Sequence, residues 1–242
     1  MSNDLILDDK ERLIRVESIL VSQPEHKDNN SPYFKLAEKH NLQIDFRPLI
    51  EIDPVDIKDC RKQKVNILDH TAVIFTSRNA VDHFFRLASE SKVEVPTDMK
   101  YFCISEQTAN YLQKYIVIRK RKIFTGERTA RDLFEILKKH KKEKLLFPCS
   151  DIRKDDIPNF LKENGYNYNE AIIYRAVASD LSDLADVNYD IIAFFSPSGI
   201  NSLFENFPDF KQNKTRIAAF GPTTSKAMKR SEERRVGKEC AT

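Results

Sequence analysis

The chain reads as an α/β protein with two similar parallel-sheet domains of the flavodoxin or Rossmann kind. Three observations carry that reading. Its 242 residues suffice for two domains with separate cores. Short β-rich runs alternate with amphipathic stretches from end to end, the pattern of parallel strands covered by helices. The runs and their following loops also repeat once along the chain at a spacing of roughly 120 residues, which is a fold-scale duplication rather than a solenoid period.

Eight runs read as strands. In order they are Ser18–Ser22, Gln43–Pro48, Thr71–Thr76, Lys100–Ile104, Lys144–Phe147, Ala171–Arg175, Asp190–Phe195 and Arg216–Phe220. Each combines β-branched, aromatic or leucine residues and ends in turn-forming residues. FTSRNAVDHFF at Phe75 matches FFSPSGINSLF at Phe194, and YFCISEQTANYL at Tyr101 aligns without a gap to IAAFGPTTSKAM at Ile217. That last alignment predicts a strand, a turn and a threonine just before the next helix in both copies. More loosely, ILVSQP at Ile19 resembles LLFPCS at Leu145, and IDFRPL at Ile44 resembles AIIYRA at Ala171. The runs thus follow an A, B, C, D, A, B, C, D order. Two domain divisions satisfy it: two contiguous halves, or an exchange in which the first A and B join the last C and D around an inserted middle domain.

Composition narrows the function. Apolar residues make up 40% and charged residues 32%, with no apolar run near the roughly 20 residues of a membrane helix. The N-terminus MSNDLILDDKERLIRV lacks the basic start and apolar core of a secretory signal, so a cytoplasmic protein without a membrane partner is expected. Forty basic and 37 acidic side chains leave a net charge of +3, too balanced a field to grip nucleic acid. The basic runs at Arg119–Lys122 and Lys138–Lys144 read as solvated faces. Cys60, Cys103, Cys149 and Cys240 form no CxxC pair, the five histidines have no metal-ligand spacing, and the common nucleotide, metalloprotease and hydrolase motifs do not occur. No metal and no cofactor is expected.

What remains is a set of small polar loops at the carboxyl ends of strands, where open parallel sheets bind ligands. They contain Thr76, Ser77, Arg78 and Asn79; Ser105; Ser150; Ser196, Ser198 and Gly199; and Gly221, Thr223 and Thr224. Backbone N–H groups at a helix start, the positive end of the helix dipole and nearby hydroxyls form a cradle for carboxylate or phosphate. The same residues are also the preferred helix caps, so any one loop has an ordinary reading. Convergence of several loops favours an anion site. With only five glycines in the chain, Gly199 and Gly221 mark matching loops where positive φ or close ligand approach is expected.

The motifs FTSRNAV at Phe75, LLFPCSDIRKDDIP at Leu145, IIYRAV at Ile172, FFSPSGI at Phe194 and AAFGPTTSKAM at Ala218 resemble, in order, those of the uroporphyrinogen-III synthase family over about residues 17 to 229. The resemblance implies a cofactor-free lyase of tetrapyrrole synthesis. Such an enzyme closes the linear tetrapyrrole hydroxymethylbilane into uroporphyrinogen III, inverting the terminal pyrrole ring and losing water. It further implies that the second domain is inserted in the first and joined to it by two β linkers near Arg47–Asp53 and Tyr174–Ser179, with the active site in the cleft between domains. On that basis residues 13–48 plus 178–229 form the first domain and 52–173 the second, in a monomeric protein. Tyr174 matches the family's proposed general acid and Thr223 a threonine near the substrate. Ser77, Arg78, Ser196 and Ser198 become carboxylate contacts. Ser105-Glu106 departs from the pattern, many relatives having glycine at the first of these positions. The alternative function is a non-catalytic two-lobed binder or sensor of a small polyanion. Finally, Arg230–Cys240 reads like a translated sequencing adapter, so residues 230–242 are expected to be foreign.

Overall fold

The computed structural model describes residues 15–25, 31–117, 119, 121–127 and 129–229. The stretch 230–242, expected to be foreign, and Cys240 within it lie outside these residues. The described chain divides into two compact units. A discontinuous unit contains residues up to Glu51 and from Val177 onward, and an inserted unit contains Ile52–Ala176.

The discontinuous unit holds strands β1 (Ser18–Val21), β2 (Gln43–Phe46), β9 (Ile191–Phe194) and β10 (Arg216–Ala219), in the sheet order β10-β9-β1-β2. All three pairings are parallel. Helix α1 (Pro32–His40) starts with proline at its first position and ends on Asn41 at φ 52°, where an asparagine tolerates the left-handed conformation. Helix α7 (Pro197–Asn206) buries Ile200 and Leu203 against Leu20, Ile192 and Phe194 of the sheet. A last helix spans residues 222–229 and is called α8.

The inserted unit contains β4 (Ala72–Phe75), β5 (Lys100–Cys103), β6 (Ile123–Thr125), β7 (Leu145–Ser150) and β8 (Tyr168–Ala178), with β3 (Ile50–Pro54) at the sheet edge in the order β3-β8-β7-β4-β5-β6. Both β3 and β8 run across the boundary between the units, so they are the two β connections. Labelled by the repeat, each sheet has the order B-A-C-D at its centre. The first A and B (β1, β2) pair with the last C and D (β9, β10), and the middle C, D, A, B pair among themselves.

Helices α2 (Ile57–Lys62), α3 (Arg78–Glu90), α4 (Glu106–Tyr111), α5 (Ala130–Lys138) and α6 (Asp156–Glu163) cover the inserted sheet. Helix α3 turns Ala80, Val81, Phe84 and Ala88 inward, a period that places one stripe on the core. One cluster around Phe75, Phe84 and Tyr101 fills one side, and another around Phe102, Leu133, Leu145 and Leu161 the other. Arg86 of α3 donates to Val55 O at 3.0 Å and Ile173 O at 3.2 Å, tying the two connecting segments to the helix from inside this unit.

All eight sequence-predicted strands are present, and the structure changes several details. Strand β7 continues past Phe147 through Pro148 to Ser150. A proline inside a strand reads as a breaker, but β4 pairs only with Leu145 and Leu146, so Pro148 lacks its N–H where no β4 ladder bond is made. The three-residue β6 is too short to give a periodic signal. The threonines predicted just before the helices lie inside them: Thr108 is the third residue of α4 and Thr224 the third of α8, both buried. The basic run at Lys138–Lys144 is anchored by two exceptions to its solvated character. His140 packs its ring 4.3 Å from Phe124, and Glu143 accepts from Lys100 Nζ and Thr71 Oγ1, each at 2.6 Å.

Glu143 thereby joins the starts of β4 and β5 to the segment entering β7. Burial raises its pKa, but hydrogen bonds from Lys100 and Thr71 outweigh it and hold the carboxyl below its ordinary value. A depressed folded-state pKa contributes stability above the unfolded value of about 4.3, lost as pH falls through the folded value. Unfolding midpoints in urea should therefore drop as pH is lowered from 5 to 3, and Glu143→Gln should flatten that slope. An equal slope in the variant would remove Glu143 from the acid response.

Candidate functional site

The capping serines build the site locally. Ser77 Oγ, at the N-cap of α3, accepts from Ala80 N–H at 3.0 Å, and Ser196 Oγ, at the N-cap of α7, accepts from Gly199 N–H at 3.2 Å. Each cap stands directly beyond its strand, β4 or β9, so the free N–H groups of the helix start face the carboxyl end of the sheet.

In the inserted unit the structure brings Ser77 and Tyr174 together, their hydroxyls 3.2 Å apart. Tyr174 is 7% exposed and its ring stacks on His83 at 5.2 Å and 21°. Burial pushes the phenol up from its ordinary value, and the hydrogen bond with Ser77 opposes that shift. Burial also lowers the pKa of His83, whose imidazole is therefore neutral near pH 7.

Tyr174 and Ser150 line a cavity of about 420 Å³ at the carboxyl ends of the strands. That lies within the roughly 300–1,000 Å³ of small-molecule pockets. The lining includes Thr76 of the first polar loop and three groups that sequence reasoning did not select as site residues on their own account: Thr129, Arg153 and Lys154. Arg153 lies inside the quoted LLFPCSDIRKDDIP motif, and its Nε and Nη1 donate to Glu170 and Asp155 at 2.9 and 2.7 Å. Lys154 is exposed and makes no ion pair among the described residues, so its charge is available to an anion. Thr129 caps α5 in a reciprocal box with Asp132, a signal readable as threonine three residues before an acid. Ser150 itself is 8% exposed and donates to Asp151 Oδ1 at 2.9 Å, so its hydroxyl is partly engaged.

Arg78 and Asn79 are exposed in the first turn of α3. The Arg78 guanidinium stands 5.6 Å over the Tyr111 ring, and Tyr111 Oη donates to Asp82 at 2.9 Å. Lys114 Nζ donates to the same carboxylate at 2.9 Å, and Tyr115 Oη also reaches it. Asp82 is thus a fixed hub under the ring that carries Arg78. Ser105 is used locally: its Oγ caps Thr108 N–H at 3.3 Å and meets Thr108 Oγ1 at 3.2 Å. Helix α4 is only six residues long and begins with Glu106, which repels a carboxylate there.

In the discontinuous unit Ser196, Ser198 and Gly199 occupy the start of α7, Gly221 the turn after β10, and Thr223 the exposed start of α8. Thr224 is 1% exposed: in its helix it faces the core rather than the open loop. The two glycines also part company. Gly221 has φ +92°, as its turn requires, but Gly199 is helical and buried, and an added Cβ would meet only ordinary contacts with Phe194, Ser196 and Ser22 at 3.6–3.8 Å. Gly199→Ala should accordingly be neutral or stabilising by up to ~1 kcal/mol through helix propensity. Gly221→Ala should cost about 1–2 kcal/mol, because an L residue is strained at that φ. Thermal melts of the pair check the contrast, and equal shifts would contradict it.

A second cavity in this unit, of about 440 Å³, is lined mainly by Leu20, Leu49, Leu181, Phe207 and Phe210 with Tyr189. Its wall includes none of the capping serines Ser77, Ser105 or Ser196, and Asn206 on it is spent on Leu181, Ser179 and Ser202. It lacks the helix starts that an anionic ligand needs.

Comparison with known proteins gives one family. A family profile described as uroporphyrinogen-III synthase HemD matches residues 31–236. Among solved structures, the uroporphyrinogen-III synthetase of Helicobacter pylori is similar at 19% identity with TM-score 0.57, covering 89% of each chain. A mutant uroporphyrinogen III synthase from the thermophilic bacterium Thermus thermophilus is similar at 16% identity with TM-score 0.54, again over 89% of each chain. At these identities the likeness speaks to the fold, two α/β domains with mainly parallel sheets. No helix among the described residues is long and apolar enough to cross a membrane.

Proposed function

Because the chain belongs to the uroporphyrinogen-III synthase family, we propose a division of labour among its own residues for the family's reaction, the closure of hydroxymethylbilane to uroporphyrinogen III with inversion of the terminal ring and loss of water. The observation that carries it is the hydroxyl pair Ser77–Tyr174 at 3.2 Å, beside the cavity at the strand ends.

Ser77 Oγ accepts from Ala80 N–H, which leaves its own proton free to be donated to Tyr174 Oη. The phenolic proton is then directed outward to the hydroxyl that leaves the substrate. A bond donated to the phenol oxygen stabilises the developing phenolate, so Ser77 makes Tyr174 a better general acid than its burial alone allows. The azafulvene cation left behind needs no protein nucleophile. It needs the terminal ring held so that its substituted position, not its free one, is attacked, and this is a matter of positioning.

The helix starts at Ser77–Asn79 and at Ser196–Ser198, with Thr223, offer N–H and hydroxyl donors to acetate and propionate groups. Arg78 and Lys154 add fixed positive charge. Such distributed donors suit a ligand with carboxylates on every ring and call for no dense basic patch. The near-balanced charge supports a protein that binds no nucleic acid. The reading extends to a cytoplasmic protein that works as a monomer.

Incubation with freshly generated hydroxymethylbilane, followed by isomer analysis of the oxidised product, tests the activity. Type III porphyrin should form. Type I alone, the spontaneous product, would leave the two-lobed polyanion binder as the better description.

A further inference from the structure

The residues that follow β9 and β10 repeat, place for place, those that follow β4 and β5. Ile104 N–H donates to Phe75 O at 2.9 Å, and Phe220 N–H donates to Phe194 O at 2.8 Å, so Ile104 and Phe220 hold the same position beyond their sheets. Thr76 and Phe195 likewise stand between the last strand residue and the capping serine, Ser77 or Ser196. In the inserted unit Thr76 and Ile104 both line the cavity that contains Tyr174. In the discontinuous unit the matching places carry phenyl rings, stacked 4.6 Å apart and 2° from parallel. Phe220 is nevertheless 56% exposed, whereas Phe75, Phe84, Phe102 and Phe194 are 1% exposed or less.

We propose that the Phe195–Phe220 pair is a stacking platform for one pyrrole ring of the tetrapyrrole substrate, with Phe220 as the residue in contact. This rests on the synthase reading of the same loops. A pyrrole carries its acetate and propionate groups on the ring edge, which leaves both faces free to stack, while the edge carboxylates reach the donors at Ser196 and Thr223 that flank the two phenyl rings. Phe195, half-buried beneath, fixes the plane of Phe220 so that little motion is lost when a ring settles on it. The phenyl face also attracts a cation, so the platform holds the azafulvene formed on loss of hydroxide more tightly than the neutral ring. One exposed ring is far smaller than the roughly 800 Å² per partner of a stable protein interface, which disfavours a docking patch for another protein.

The test uses the full chain, hydroxymethylbilane, and the variants Phe220→Ala and Phe220→Trp. Alanine should raise KM about tenfold, the scale of a lost aromatic stack, and should increase the share of type I porphyrin because the ring is less constrained. Tryptophan should restore KM and the isomer ratio. It would also be the chain's only tryptophan, so its emission should be quenched saturably when hydroxymethylbilane is mixed in. Unchanged KM and isomer ratio in the alanine variant, or tryptophan emission indifferent to the substrate, overturns the platform. If the parent chain yields only type I porphyrin, the synthase assignment fails, and the emission change still decides whether the ring binds there.

Discussion

Replacing Tyr174 by phenylalanine is expected to lower kcat by about 10²-fold, the lower end of what a positioned general acid contributes, while type III porphyrin remains the product. The ring and its stack on His83 survive the change, and only the hydroxyl facing Ser77 is removed. Folding should therefore be nearly untouched and KM little altered. Desolvation keeps the proton on Tyr174 to a higher pH than in an exposed phenol. The parent rate should accordingly persist to alkaline pH without the fall that a tyrosine of ordinary pKa, about 10, would impose. Steady-state kinetics of the purified variant decide the matter: turnover within twofold of the parent removes Tyr174 from the mechanism. The distributed N–H donors should then be the whole of the catalytic apparatus, and single hydroxyl deletions among the loops should each cost little.

The largest loss of stability is expected from Phe75→Ala, about 3–5 kcal/mol. Phe75 is fully buried at the last position of β4, edge-on to Phe84 at 5.4 Å and stacked with Tyr101 at 6.1 Å. Removing the ring leaves a void between strands and helix α3 that a β-sheet cannot close by sliding, since the ladders on both sides of β4 fix its register. The urea midpoint should fall sharply at unchanged slope. Activity should fall with it, because Ser77 and Arg78 follow Phe75 closely in the chain. A loss under about 1 kcal/mol would mean that the neighbouring rings collapse into the space.

The strands were legible because each is a run of apolar or β-branched residues with a punctuated end. The serines were legible as caps for the same reason: a strand, one residue, then Ser before an amphipathic stretch. The partnership of the strands was not legible from pattern. β1 pairs with β9 at Ile19 and Ile191, and nothing local distinguishes that partner from its repeat β4, since both copies carry the same propensities. The family resemblance pointed to the exchange that residue patterns left open. Burial within a helix was also beyond the pattern: Thr223 and Thr224 are neighbours of one type, yet one faces solvent and the other the core. Arg153 and Lys154 were passed over because a charged pair in a loop looks like solvent-exposed chain until the cavity beside it is seen. Phe195 and Phe220 were read as ends of apolar strands, and exposure of the second is a property of the turn at Gly221 rather than of its own side chain.

The two strands that cross between the units set an order of events during synthesis. Ile52–Ala176 is one unbroken stretch, and every parallel pairing within β4 to β8 joins segments less than about 80 residues apart. It can close its sheet as soon as β8 has emerged. β1, made first, pairs with β2 at once, but its other edge has to wait for β9, some 170 residues later. Until then a two-stranded fragment with an open edge is exposed, the kind of species that recruits foreign strands. The growing chain thus carries its own finished middle before the sheet of its beginning is complete, and any ribosome pause before β9 has emerged prolongs the exposure of that edge.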